Sequence, residues 1–281
     1  MLKERMADSR EETDKRYRRY VQELRYIDDS FMSIALNDKI TVQEVLNAIL
    51  DFPVEVTRVE SQRTENRLYG RGVRLDVIAR DKNGKFYNIE IQRANAGANV
   101  HRARYNASIL DTVVSNKGED FKSLPDTYII FITEKDVFKA GFQLYHIDHI
   151  IRETHETCDD GQHIVYVNGA CQSDTEIGRI MHDFQCRQAE DMYNKVLADR
   201  MEDIKGDEKE VSRMCEIMEK IQREGVEIGR EEGREEGRLS ALLNSVQSVM
   251  KNSKMTLVQA MDLLSVADKA EREYIQKHFD E

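Results

Sequence analysis

The sequence predicts an α/β chain with a C-terminal α-helical extension. Three observations carry this. Two β-rich runs, Leu75–Ala79 and Phe86–Gln92, flank the turn signal Asp81-Lys82-Asn83-Gly84-Lys85, which is how a β-hairpin is written. Between residues 40 and 133 the hydrophobic periodicity switches in the order helix, strand, strand, strand, helix, strand. Beyond residue 205 the chain is highly charged with helical spacing of its apolar residues.

Residues 1–26 are dense in alternating charge, with Tyr17, Tyr20, Val21 and Leu24 at helical spacing, and read as an exposed helix. The main domain is expected over 27–204. It opens with a helix near 40–50, where Thr41 and Glu44 form a capping-box pattern. Val42, Val45, Leu46, Ile49 and Leu50 make its apolar stripe, and Pro53 ends it. Val54–Val59 alternates as a first strand, and the hairpin strands follow. Residues 97–116 suit a helix, with Val100, Ala103, Ala107, Leu110 and Val114 recurring near its period. Tyr128–Thr133 is a short apolar run typical of a buried strand, and Ile164–Val167 is a further strand. Residues 174–204 read as helical, beginning at Asp174 or Thr175.

The tail differs in kind. Glycine recurs at 225, 229, 233 and 237 within a Glu/Arg-rich segment spanning 205–238. Glycine costs about 1 kcal/mol against alanine inside a helix, while Glu and Arg three or four apart support one. A linker or a solvated, marginal helix is the first reading, and a homo-oligomer contact through the C-terminal helices the second. Residues 239–281 then form a small helical module: one helix from Leu239, a second capped by Thr256, and a third over 267–279.

The hairpin places two acids in apolar surroundings. An ionised carboxylate away from water must be paired or bound to metal. Side chains on a strand alternate faces, so Asp76 stands across from Glu90 only if the loop has an odd number of residues. A three-residue loop, Lys82-Asn83-Gly84 with Gly84 left-handed, gives that register; a two-residue loop would put the acids on different faces. With three, one face is Val73, Leu75, Val77, Tyr87, Ile89 and Ile91, a core. The other is Arg74, Asp76, Glu90 and Gln92, an all-oxygen acid and amide set suited to a hard cation such as Mg²⁺. The bland alternative is a structural ion pair of either acid with Arg74 on a solvent-facing sheet.

Asp76, followed after a hairpin by Asn88-Ile89-Glu90-Ile91-Gln92 and then by Arg102-Ala103-Arg104-Tyr105, resembles the PD-(D/E)XK nuclease superfamily. Within it the similarity is to the recombination-promoting nuclease and transposase group, over residues 26–190. The resemblance implies a core of helix, three-strand meander, helix and strand with a mixed central sheet flanked by helices. It implies a Mg²⁺-dependent DNA endonuclease, with Mn²⁺ as a substitute, from a bacterium and linked to recombination or mobile elements. Asp76 and Glu90 become the metal ligands and Gln92 a catalytic position. Glu44, on the first core helix, is the acid that would complete the site, with Asp28 and Asp29 as rivals and the capping box as its competing role. Arg74, Arg102, Arg104 and Tyr105 become DNA contacts, against packing for Tyr105. Gln92 stands where the superfamily has lysine, and an amide neither takes a proton nor carries charge. A non-catalytic nucleic-acid-binding or assembly protein that keeps the fold is therefore the alternative.

Composition bounds these readings. The 281 residues carry a net charge of −11, yet residues 53–110 hold eleven Lys/Arg against six acids. Residues 190–281 hold fifteen against twenty-two. Positive charge thus gathers where the acid pair lies, as phosphate contacts require. No apolar run is long enough for a membrane span and no secretory signal is apparent, so the cytoplasm is expected. Cys158, Cys171, Cys186 and Cys215 form no Cys-x-x-Cys pair, which leaves zinc ribbons unsupported. His146, His149 and His155 read as surface histidines.

Overall fold

The hairpin loop sets the register of the whole sheet. Asp81 N–H donates to the Lys85 carbonyl at 3.1 Å, closing Lys82-Asn83-Gly84 as a three-residue loop. Gly84 sits at φ 88°, in the left-handed region that glycine occupies without a Cβ clash. The Asp81 carboxylate pins the turn by accepting from the N–H groups of Asn83 and Lys85, both at 2.9 Å. The resulting pairs run from Arg80 with Phe86 to Val77 with Ile89, and just beyond them Asp76 N–H donates to the Glu90 side chain at 3.2 Å.

The computed structural model describes residues 15–65, 73–93, 95–115, 118 and 120–280. The side chains of 62–65, 73, 74, 95, 96, 221, 224, 228, 232 and 280 are outside what it describes. Helices α1 (15–23), α2 (Asp29–Ala35) and α3 (Lys39–Ile49) precede an antiparallel meander of β1 (Val56–Glu65), β2 (Val73–Asp81) and β3 (Phe86–Gln92). Helix α4 (Val100–Val114) crosses over to β4 (Thr127–Thr133), which lies parallel to β3. Then come β5 (Leu144–Ile147), a small ribbon of β6 (Ile150–Ile151) and β7 (Glu156–Thr157), and β8 (Gln162–Asn168). The six-stranded mixed sheet has the order β1-β2-β3-β4-β8-β5. Helices α5 (Glu176–Asp183) and α6 (Lys195–Gly206) follow, then α7 (Glu208–Ser253), α8 (Leu257–Leu263) and α9 (Lys269–Asp280).

Strands β3, β4 and β8 are covered on both faces, which explains their continuous apolar sequences. One face carries Val77, Ala79, Tyr87, Ile89, Ile91, Ile130 and Ile132 against α1–α3, α5, α6 and the start of α7. The other carries Ile78, Ile129, Phe131 and Tyr166 against Ala103, Ala107 and Leu110 of α4. The face of β3 that carries Glu90 is thus a second core rather than a half-exposed sheet. Leu75, expected in the first core, packs in the second, beyond the point where the β2–β3 ladder ends at Val77 and Ile89.

Local expectations change in four places. Tyr17, Val21 and Leu24 are buried in the main core, so α1 is docked rather than exposed; Tyr20 alone of that set is open to solvent. Thr41 is not the cap of α3. Asp38 is, its carboxylate accepting from the N–H and the hydroxyl of Thr41, both at 2.8 Å, and the Thr41–Glu44 capping box does not form. The helical stretch expected over 174–204 is broken into α5 and α6. Asp183 turns back to accept from Tyr193 and Asn194 N–H at 2.9 and 2.7 Å, and Asn194 then caps α6. Strand β5, an antiparallel edge, carries no strong alternation, and the sequence does not predict it.

The chain divides into two compact units, the first ending at Met218 and the second beginning at Glu219. The second has its own core of Val246, Ala260, Met261, Val266 and Ile275. Thr256 caps α8 in a capping box with Gln259. Helix α7 runs through the glycine repeat, where a Cβ at 225, 229, 233 or 237 would meet open space. No helix among the described residues is long and apolar enough to cross a membrane.

Gly178 on α5 is different: a Cβ there would lie 2.0 Å from the Ser173 carbonyl oxygen and 2.7 Å from its nitrogen. Backbone cannot swing aside as a side chain can. Gly178→Ala is therefore expected to destabilise the first unit by about 1–3 kcal/mol, read as a lowered urea midpoint; an unchanged midpoint would contradict the packing described.

Candidate active site

Where the β2–β3 ladder ends, carboxylates take over the pairing. Asp76 N–H donates to Glu90 Oε1 at 3.2 Å, and the Asp76 carboxylate accepts from Ile91 N–H. Glu90 is fully buried. Asn88, on the same face of β3, donates through Nδ2 to Glu90 Oε1 at 3.0 Å and to the Val77 carbonyl at 3.3 Å. Asn88 Oδ1 is buried with no hydrogen-bond partner among the described residues.

The positive charge comes from α4. Asn99 caps this helix by accepting from Arg102 N–H, which puts Arg102 in the first turn, facing the strand ends. Arg102 Nη2 meets Glu90 Oε2 at 2.9 Å, while Nη1 donates to Gln92 Oε1 at 3.3 Å and to the Gly97 carbonyl at 3.1 Å. Its guanidinium lies 6.0 Å from the Phe131 ring centroid. One side chain thus ties together Glu90, Gln92 and the turn before α4.

Among the described residues, the cation paired with these acids is Arg102. Burial pushes Asp76 up to about 8, helped by the negative charges of Glu90 and Asp29, against the pull of Arg102. Burial also raises Glu90, against the opposing effects of Arg102, Asn88 and the Asp76 N–H. Carboxylates that share one desolvated place favour the neutral form unless positive charge is added.

The expected site residues therefore separate. Asp76, Glu90, Gln92 and Arg102 come together. Asp29, at the start of α2, is the upstream acid felt by Asp76. Glu44 is engaged elsewhere, its Oε2 accepting from Asn194 Nδ2 at 3.2 Å. Asp28 is bound by Arg25 and Arg93, at 3.2 and 3.0 Å. Arg104 is exposed on α4, and Tyr105 packs against the second core. The Arg74 side chain lies outside the described residues. His149 is paired with Asp160 at 2.6 Å on the surface.

Gly97 is a site position that the sequence does not single out. A Cβ there would fall 2.0 Å from Gln92 Oε1. The only signal is a glycine in the polar turn Asn95–Asn99, which is too common to weigh. Since Gln92 is a flexible side chain, Gly97→Ala is expected to cost less than about 1 kcal/mol of stability while expelling Gln92 from its bond with Arg102. A large drop in the thermal midpoint would show instead that the turn is rigid.

A family model described as PD-(D/E)XK nuclease family transposase matches residues 30–239. No match is found among curated proteins or among solved structures.

Proposed function

Because the chain belongs to the PD-(D/E)XK nuclease family transposases, we propose that it is a Mg²⁺-dependent endodeoxyribonuclease serving recombination or a mobile element. The observation that carries this reading is the desolvation of Asp76 and Glu90 side by side, which raises both carboxyls. Both feel the Arg102 charge, and the buried Asn88 Oδ1 beside them has no hydrogen-bond partner among the described residues. Oxygen donors in this state fit a hard divalent cation, for which such groups are the usual ligands.

Asp76 and Glu90 would hold the cation. When bound, it supplies Lewis-acid activation of water and stabilises charge on the phosphate. Gln92 has its Oε1 committed to Arg102, which leaves the two Nε2 protons to orient a water or a phosphate oxygen. Arg102 replaces the charge of the superfamily's lysine. It does not exchange a proton, because a guanidinium stays charged, so it acts by fixed electrostatics and by holding Gln92. Arg104, exposed on another face of α4, is assigned a phosphate contact.

Plasmid nicking tests the reading. Wild type should nick with Mg²⁺ or Mn²⁺ and not with EDTA, and Asp76→Ala should lose at least about 10²-fold in rate. Activity persisting in Asp76→Ala would remove the assigned site. A second reading, a DNA-binding protein without catalysis, is favoured by the salt bridge that already satisfies Glu90. It predicts unchanged DNA affinity in Glu90→Ala and no cleavage with any divalent ion.

A further inference from the structure

We propose that the end of α5 forms a second metal site, for Zn²⁺ or a similar borderline-soft cation, ligated by His182, Asp183 and Cys186 and open to solvent at its remaining position. His182 Nδ1 lies 3.1 Å from Asp183 Oδ1 and 3.6 Å from Cys186 Sγ. One donor atom from each of the three residues falls within 4.8 Å of the others. A tetrahedral zinc with bonds of about 2.0–2.3 Å has donor–donor edges of roughly 3.3–3.8 Å, so the three atoms need only small shifts to share one ion. The nitrogen, oxygen and sulfur donors suit zinc, whereas the all-oxygen Asp76–Glu90 pocket suits a hard ion.

The site is braced from behind. Asp183 is fully buried, and its two oxygens are fixed by the N–H groups of Tyr193 and Asn194. The His182 ring rests 4.6 Å from the Tyr193 ring, centroid to centroid. In front lies an open cavity of about 610 Å³, whose wall includes His182, Cys186 and Asp191. Two arginines share that wall, but both are committed: Arg25 to Asp28 and Glu134, Arg187 to Glu23.

Cobalt is the probe, because a Co²⁺–thiolate bond gives a charge-transfer band that carboxylate sites cannot give. The full chain, stripped with EDTA and reduced, is titrated with Co²⁺. We expect a thiolate band and tetrahedral visible bands saturating near one equivalent, displaced by Zn²⁺ and unaffected by Asp76→Ala. Cys186→Ser should abolish the thiolate band, and His182→Asn should weaken Co²⁺ binding at least about tenfold. Cys158→Ser, which removes an exposed thiol, should change nothing. Absence of the band, its survival in Cys186→Ser, or its loss in Cys158→Ser would overturn the proposal. Far-UV circular dichroism of each variant separates loss of the site from loss of fold. If Cys186→Ser fails to fold, undiminished Co²⁺ affinity in His182→Asn would overturn the proposal in its place.

Discussion

Arg102→Ala should lower the stability of the first unit by on the order of 3 kcal/mol, among the largest single-residue effects in this chain. Removing one partner of a buried pair leaves the other charge uncompensated, and Glu90 is fully buried. The arginine is about one-third exposed, so water entering behind it moderates the cost. Glu90 can also escape by taking a proton. The deficit should therefore be greater at pH 8 than at pH 5, and Mg²⁺ or Mn²⁺ should stabilise the variant more than wild type by restoring positive charge. Arg102→Lys should fall between them, since one ammonium cannot span Glu90, Gln92 and the Gly97 carbonyl as the guanidinium fork does. Urea midpoints at both pH values, with EDTA and with Mg²⁺, check this. Equal losses at pH 5 and pH 8 would contradict the idea that Glu90 depends on Arg102 for its charge.

The second large effect is on pH dependence. Burial, helped by the charge of Glu90, pushes the Asp76 carboxyl up to about 8 from its ordinary 3.8. A carboxyl whose folded value is raised holds its proton longer when folded than when unfolded. Its contribution to stability is then fully present below about pH 4 and is lost as pH rises through 8. Each tenfold difference in proton affinity between the folded and unfolded chain is worth about 1.4 kcal/mol, so several kcal/mol are at stake across this window. Asp76→Asn, which cannot ionise, should flatten the profile and be more stable than wild type at pH 8 in EDTA. Saturating Mg²⁺ should flatten the wild-type profile as well. The same slope in Asp76→Asn as in wild type would mean that another group sets it.

These effects arise from residues of unequal legibility. The hairpin register is a local property. Asp81, Gly84 and the alternation of the two runs decide it within about a dozen residues, and so the hairpin that carries Asp76 and Glu90 can be read from the chain alone. Strands β3, β4 and β8 are equally legible as apolar runs. The helical break at 184–194 is not, because it depends on Asp183 turning back to backbone groups ten residues away. Glu44 illustrates the limit: its spacing from Thr41 and its place on the first helix are both informative patterns, yet the carboxylate bonds to Asn194, 150 residues on.

The amino-acid sequence by itself determined the α/β class and the hairpin that carries the two acids, through near-neighbour periodicity and turn chemistry, and it held the family in the resemblance of Asp76, Asn88–Gln92 and Arg102–Tyr105. Only the tertiary structure decided that Glu90 is buried under α4, that Arg102 pairs with it, and that Asp29 acts on Asp76 while Glu44 bonds to Asn194. Those choices follow from packing α4 and α2 against the sheet. Desolvation and Coulomb energy depend on distances through space, and separation along the chain does not record them.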